Sequence, residues 1–145
     1  MKRLIFSLVF AIGIAANATP AFAQQTGQLR IEFQGPGGHS FGAYGRVSAL
    51  HAAARAVILM QKALPAGSYQ IINLTGGNSV NAIASDGLIE MKLTAANAVA
   101  YQALVTAVTN AVNAGAEAEN KFRGVKKGDL TSGAPATVRV AVTPF

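Results

Sequence analysis

The hydrophobic period of this chain changes from two residues to between three and four, and then back, twice along its length. In residues 28–34, Leu29, Ile31 and Phe33 alternate with polar side chains, as in a strand with one buried face. Beyond a glycine-rich stretch, apolar residues recur instead at helical spacing. We therefore expect a sheet covered by helices.

Four segments have the alternation and composition of strands: Gln28–Gln34, Tyr69–Leu74, Leu88–Leu93 and Val138–Val142. In the third segment, Ile89, Met91 and Leu93 point one way. Glu90 and Lys92 point the other way, so one face is solvated. A sheet with one solvated face is typically antiparallel, with its other face covered.

A first amphipathic helix is predicted to begin near residues 44–46 and to end at about Ala63, before Pro65 and Gly67. The residues expected to face the core are Val47, Leu50, Ala54, Val57 and Leu64. The residues expected on its solvent face are Ser48, His51, Arg55 and Lys62.

A longer second helix is predicted from an N-cap at Thr94 to about Ala118. Its expected buried stripe is Tyr101, Leu104, Val105, Val108, Val112 and Gly115. The expected solvent face is Gln102, Thr106, Thr109, Asn113 and Glu117. The segment Lys121–Pro135 that follows is basic and aperiodic, so we expect a loop with a short extra strand.

The order strand, helix, strand, strand, helix, strand predicts an α+β fold. The arrangement expected is a ferredoxin-like two-layer sandwich (βαββαβ), in which two helices cover one face of an antiparallel sheet. A length of 145 residues allows one compact domain of this kind.

The first residues have the features of a secretory signal peptide. Lys2 and Arg3 precede an apolar run, and Ala21 and Ala23 have the small side chains that signal peptidase requires. We therefore predict a signal peptide over residues 1–23 and a mature domain over residues 24–145. The run is short for a membrane span, so we expect an exported bacterial protein, periplasmic or secreted, without a membrane anchor after cleavage.

The residue inventory argues against catalysis by this chain alone. Cysteine is absent, and the chain has two histidines and six Asp and Glu residues. We therefore expect no cofactor and no metal site of its own. The net charge is +6, but the basic segment after the second helix lacks interleaved aromatic residues, so nucleic acid is not an expected partner. An acidic partner and a solvated surface both fit its cations, which are Lys121, Arg123, Lys126 and Lys127.

Two glycine-rich segments, residues 35–45 and 76–83, each follow a predicted strand. Glycine permits positive φ and a close approach of the backbone to a ligand, and successive amides in such turns can bind an anion. Neither segment matches a phosphate-binding loop or a dinucleotide-binding fingerprint, so nucleotide binding is not expected.

Together, the segments Phe33–Gly45 (FQGPGGHSFGAYG) and Gly76–Ile83 (GGNSVNAI) resemble the signatures of the dimerisation, or lid, domain of the zinc exopeptidases that include aminoacylase, peptidase T and glutamate carboxypeptidase. The resemblance spans Gln28–Val142, and the lid of that family has the same order of strands and helices. The third strand departs from the family pattern, since Lys92 and Thr94 stand where an acidic residue and an arginine are usual.

The resemblance implies roles for particular residues. His39 would reach across a dimer into the zinc site of the partner and polarise the scissile carbonyl, and Asn81 would help to bind substrate. The glycines implied to form the substrate-binding loops around them are Gly37, Gly38 and Gly77. Zinc would be supplied only by a separate catalytic domain, whose ligands this chain lacks.

Three interpretations fit the sequence. The first is an exported, non-catalytic dimerisation or interaction domain, expected to be a homodimer, that self-associates or binds a peptide or amino-acid-like ligand through its glycine-rich loops. The second is a lid subunit that supplies His39 and Asn81 in trans to a separately encoded zinc peptidase catalytic subunit. The third is a degenerate gene fragment. His39 also fits a loop residue retained with its turn, and Asn81 a turn residue bonded to its own backbone.

Overall fold

The computed structural model describes residues 23–145; the predicted signal peptide, apart from Ala23, lies outside them. In chain order, the elements are β1 (Gln25–Gln34), β2 (Gly38–His39), α1 (Ala49–Ala63), β3 (Tyr69–Thr75), β4 (Ala82–Ile83), β5 (Asp86–Ala95), α2 (Ala98–Phe122), β6 (Leu130–Thr131), β7 (Ala134–Pro135) and β8 (Arg139–Pro144). The long strands form one antiparallel sheet in the order β3-β5-β1-β8. Both helices pack against each other and against β1 and β5. The α+β two-layer sandwich and the βαββαβ order of its long elements are confirmed.

The two central strands form the floor of the core. β1 and β5 pair along their whole length, which places Leu29, Ile31 and Phe33 on the same face as the apolar side chains of β5. All of these side chains are almost completely buried, as the period of two predicts. On the other face, Arg30 Nη1 donates to Glu90 Oε1 at 2.9 Å, so that face is polar and solvated.

α1 begins at Ala49, after the predicted start near residues 44–46. Ser48 is its N-cap, because its Oγ accepts a hydrogen bond from the His51 N–H at 3.3 Å, and the residue is buried. The buried face consists of Ala49, Ala52, Ala53, Ala56 and Met60. The predicted solvent position of Ser48 and the predicted burial of Ala54, which is exposed, were therefore wrong. Alanine occurs on every side of this helix, so hydrophobicity alone does not fix its phase.

α2 begins after an N-cap at Asn97, whose Oδ1 accepts from the Ala100 N–H at 2.9 Å. The predicted cap, Thr94, lies in β5, where it pairs with Thr26. The buried stripe agrees with the prediction at Leu104, Val108, Val112 and Gly115. The helix continues to Phe122, past the predicted end at Ala118, so the start of the predicted loop is its last turn.

Two short strand pairs lie outside the main sheet. β6 and β7 form a hairpin in the segment predicted to contain an extra strand. β2 and β4 lie in the two glycine-rich segments, for which no strand was predicted. Neither helix of residues 23–145 combines the length and hydropathy that a bilayer-spanning segment needs.

Candidate functional site

The pairing of β2 with β4 brings the two glycine-rich segments together. Gly38 lies opposite Ile83, and His39 lies opposite Ala82. The Ser40 N–H extends the ladder by donating to the Asn81 carbonyl at 2.8 Å. Segments that are distant along the chain therefore form one loop surface beyond the end of β1.

His39 and Asn81, the two residues singled out from the sequence, meet on this surface. Nδ1 of His39 accepts a hydrogen bond from the Phe41 N–H at 3.3 Å, and Nε2 lies 3.3 Å from Nδ2 of Asn81. A neutral imidazole has one N–H, so its two nitrogens cannot both accept. Because Nδ1 accepts, Nε2 carries the proton and needs an acceptor from Asn81.

In the structure, Nδ2 of Asn81 faces His39 Nε2 and Oδ1 faces the Ser79 hydroxyl, so a half-turn of the amide is needed to supply that acceptor. It directs Oδ1 to the His39 Nε2–H, and it directs Nδ2 to the hydroxyl of Ser79, with which the amide is also in contact. Ser79 then accepts from the side chain of Asn81 as well as from its backbone N–H. The chain Ser79–Asn81–His39 fixes the orientation of an exposed imidazole.

The backbone at Gly37 and Gly38 requires glycine. Their φ angles are +62° and +133°, and a Cβ at Gly37 would lie 2.7 Å from Cβ of Ser85. Arg46 holds this turn from the side, since its Nη1 donates to the Gly37 carbonyl at 2.9 Å. Gly77, the third predicted glycine, has a φ of +74° and lines a neighbouring cavity of about 480 Å³ with Ser48 and His51.

Large apolar side chains lie exposed on the same loops. Phe41 is 92% exposed and Tyr44 is 90% exposed in the first loop, and Val80 is fully exposed next to Asn81. These three residues do not recur at helix or strand spacing, so hydrophobic periodicity did not identify them. The surface therefore presents an oriented imidazole and an amide beside apolar groups that water solvates poorly.

Sequence reasoning missed Glu119, which is completely buried between the two helices. Its Oε1 accepts from the Ser48 N–H at 3.1 Å and from Arg123 Nε at 3.2 Å, and its Oε2 accepts from Arg55 Nε at 3.0 Å. Burial raises the pKa of Glu119, but these hydrogen bonds and the charge of Arg123 outweigh burial, so the pKa lies below its ordinary value of 4.5. Glu119 also supplies a negative charge at the N-terminus of α1, whose first turn contains no acidic residue.

No group of three or more His, Asp or Glu side chains that could hold a metal ion occurs in residues 23–145. His39 and His51 lie on different elements, and His51 is an exposed residue of α1. The predicted cations Lys121, Lys126 and Lys127 line a separate cavity at the end of α2.

The fold is that of one domain of larger amidases and peptidases. An aminobenzoyl-glutamate utilization protein from Klebsiella pneumoniae matches 88% of this chain with 31% of its own, at a TM-score of 0.64 and 16% identity. A hydantoinase/carbamoylase family amidase from Burkholderia ambifaria matches 86% of this chain with 28% of its own, at a TM-score of 0.63 and 18% identity.

Aminopeptidase PepT from Bacillus cereus matches 85% of this chain with 30% of its own, at a TM-score of 0.57 and 18% identity. This chain therefore spans less than a third of each of these three proteins. No protein-family model and no curated protein sequence matches it. The structural overlap establishes a shared fold, whereas identities this low establish nothing beyond it. At the level of fold, the resemblance to the lid domain of zinc exopeptidases is confirmed.

Proposed function

We propose that this protein is an exported, non-catalytic dimerisation and interaction domain that binds a peptide or amino-acid-like ligand through its two glycine-rich loops. The observation that carries the proposal is the contact between His39 and Asn81, at 3.3 Å, on an exposed surface. These are the two residues to which the resemblance assigns substrate contacts. A turn that merely retained its shape would not require the side chains of both loops to meet.

The chemistry of the surface fits a peptide ligand. The imidazole and the Asn81 amide can exchange their mutual contact for hydrogen bonds to a carboxylate or a peptide carbonyl. Phe41, Tyr44 and Val80 supply apolar surface beside them. We therefore expect a preference for short peptides that carry an apolar side chain next to a free carboxylate.

Self-association through the β3 edge of the sheet is the second part of the proposal. Among residues 23–145, β3 pairs only with β5, so its outer edge has backbone groups that no described strand pairs with. Ile72 and Leu74 are exposed on this strand, and Ile58 is exposed on α1. Two copies related by a two-fold axis would cover both the backbone edge and these side chains.

Two measurements test these parts separately. Light scattering on the purified protein over a range of concentrations gives its mass, and we expect a dimer. NMR titration with dipeptides that carry an apolar C-terminal residue is expected to shift the imidazole resonances of His39. His39→Ala and Asn81→Ala should each weaken binding by about tenfold, while Gln61→Ala, at an exposed position near the C-terminal end of α1, should leave it unchanged.

A monomer at every concentration would contradict self-association, and His39 resonances that ignore all dipeptides would contradict the ligand site. Loss of binding in Gln61→Ala equal to that in His39→Ala would also place the ligand elsewhere.

A second candidate function uses the same observation. A lid subunit acting in trans would present His39 and Asn81 to the zinc site of a separately encoded peptidase, and the exposure of both residues allows this. In a reconstituted complex, His39→Ala would then lower hydrolysis while assembly stays the same. Hydrolysis equal to that of the unmodified complex would exclude this role, and Gln61→Ala again provides the control.

A further inference from the structure

A second candidate binding surface lies where the C-terminal end of α2, residues 124–127 and β8 surround an open cavity of about 730 Å³. Four cationic residues and one acidic residue line it, namely Lys121, Lys126, Lys127, Arg139 and Glu117; the Arg139 side chain itself extends to the opposite face of the sheet, beside Gln34. We call this cavity the basic cavity. The dipeptide surface proposed above contributes none of its residues to it.

Most of the excess charge of the domain is at this cavity. Lys2 and Arg3 lie outside residues 23–145, so the described residues have ten Lys and Arg, six acids and a net charge of +4. The basic cavity has a net charge of +3, which leaves the rest of the described residues nearly neutral. Arg30, Arg55 and Arg123 are neutralised by carboxylates, whereas no ion pair within residues 23–145 involves the four cations of the cavity. Arg139 does donate to Gln34 Oε1 at 2.8 Å.

One wall of the basic cavity is an edge strand with free backbone groups. Phe145 N donates to the Gln28 carbonyl at 3.3 Å, and the register then makes Thr143, Ala141 and Arg139 the residues of β8 that bond to β1. The N–H and C=O groups of Val140 and Val142 therefore point away from the sheet. In the described part of the chain, no backbone hydrogen bond from outside the β1–β8 pair reaches them.

The available edge of β8 begins at a definite residue. The side chain of Asn120 bonds to both backbone groups of Val138: Oδ1 accepts from the Val138 N–H at 2.8 Å, and Nδ2 donates to the Val138 carbonyl at 3.4 Å. The side-chain amide occupies the place that a neighbouring strand would take. The available edge thus starts at Val140, which lines the basic cavity.

The lining favours a peptide over a nucleic acid. Val125, Val138 and Val140 contribute apolar surface, and none of the described residues that line the cavity is aromatic. Single-stranded nucleic acids bind largely by stacking on aromatic side chains, which are absent from this lining. An added strand instead gains main-chain hydrogen bonds, and its alternate side chains enter whatever pockets flank the edge.

We propose that the β8 edge binds an acidic peptide in extended conformation. The peptide adds as a fifth strand along Val140 and Val142, and its carboxylates, at alternate positions, lie against Lys121, Lys126 and Lys127. The positive charge sets the class of partner, and the strand edge sets its conformation.

The test uses the purified full chain and a synthetic peptide of alternating Glu and Val. Binding is measured by calorimetry, and the backbone amides of Val140 and Val142 are followed by NMR. We expect saturable binding that weakens with salt, with shifts at both amides. Lys126→Glu/Lys127→Glu should weaken it by about tenfold, and the matched reversal Lys62→Glu/Lys92→Glu, at exposed positions outside the cavity, should not.

Three outcomes would overturn the proposal. The first is equal binding by the two double variants. The second is binding that leaves the amides of Val140 and Val142 unshifted, which would exclude strand addition. The third is binding of an oligonucleotide or inorganic phosphate without binding of the Glu-Val peptide. A Lys-Val peptide of the same length should not bind.

Discussion

Glu119 shows how one buried carboxylate links the two helices. It accepts the N–H of the α1 N-cap residue and pairs with Arg55 and Arg123, whose side chains keep exposures of 37% and 25%. Both guanidinium groups also lie about 5 Å from the ring of Phe122. A charge buried to this degree stabilises the fold only while all of its partners are present.

Glu119→Gln tests this link. The amide keeps the shape and one acceptor but removes the charge, so the two arginines lose their carboxylate. We expect the free energy of unfolding to fall by about 2 kcal/mol, measured by urea denaturation. Glu117→Gln, an exposed position of the same helix, should change stability by less than about 0.5 kcal/mol. Equal effects would mean that the buried charge contributes nothing specific.

The same residue predicts a pH dependence. The pKa of Glu119 is lowered in the folded state, so the unfolded chain binds more protons as the pH falls below the ordinary value of 4.5. The stability that Glu119 contributes is present above that value and is lost as pH falls through the lowered pKa. Thermal midpoints between neutral pH and pH 3 should therefore fall more steeply for Glu117→Gln than for Glu119→Gln. Parallel curves would contradict this assignment.

The residues of the candidate site were predictable only in part. His39 and Asn81 stand in glycine-rich segments whose order carries the resemblance, so the sequence singled them out. Their contact depends on the pairing of β2 with β4, and strands of two residues have no period to detect. Glu119 lies 71 residues along the chain from Ser48 and 64 residues from Arg55. No local sequence pattern predicts contacts between residues so far apart in the chain.

At the scale of elements, strands were predicted better than helix ends. Leu29, Ile31 and Phe33 alternate strictly with polar residues, so a single register buries them all. The N-terminus of α2 was misplaced because Thr94 and Asn97 are both competent caps. Pairing of β5 with β1 extends as far as Ala95 and holds Thr94 in the strand, which is a tertiary effect.

The crossing of α1 and α2 depends on Gly115. A Cβ added there would lie 2.7 Å from the backbone N of Ala56 and 2.8 Å from its Cα, closer than two helices can accommodate without moving apart. Helix propensity alone would make Gly115→Ala stabilising by about 1 kcal/mol. The contact is with backbone, which cannot rotate away as a side chain can, so packing should outweigh propensity.

We expect Gly115→Ala to lower the free energy of unfolding by about 1–2 kcal/mol. Asn113→Ala, two residues earlier and exposed, should leave stability unchanged or slightly raise it, since only propensity acts there. Urea denaturation of the three proteins distinguishes the two contributions. A stabilised Gly115→Ala would show that the helices do not approach as closely as the fold requires.

At the scale of the whole molecule, the two edges of the sheet differ in chemistry. β3 presents exposed Ile72 and Leu74, whereas β8 adjoins the cations of the basic cavity. An open edge invites pairing with other chains, and lysines beside it repel a second copy of the same edge. The proposed self-association is therefore expected at the β3 edge, which leaves the β8 edge available to the proposed partner of opposite charge.

Leu74→Lys tests this division. Leu74 pairs with Ile89 of β5 and is 43% exposed, so a lysine can reach solvent in the monomer but meets its own copy across a two-fold contact. Because the contact is two-fold symmetric, the substituted lysine occurs in it twice. A loss of about 1.4 kcal/mol of association free energy per copy would therefore raise the dissociation constant of the dimer about a hundredfold. Light scattering should then give a monomer at concentrations at which we expect the unmodified protein to be a dimer.

Leu130→Lys, at a leucine 69% exposed on β6, introduces the same charge away from the β3 edge and should keep the dimer. Circular dichroism of both variants checks that the fold is retained. A dimer that survives Leu74→Lys but dissociates in Leu130→Lys would move the interface to the β6–β7 hairpin. That result would leave the apolar side chains of β3 without a partner and would assign the two-fold contact to the hairpin side of the molecule, where Arg46 Nη2 donates to Ser132 Oγ at 3.1 Å.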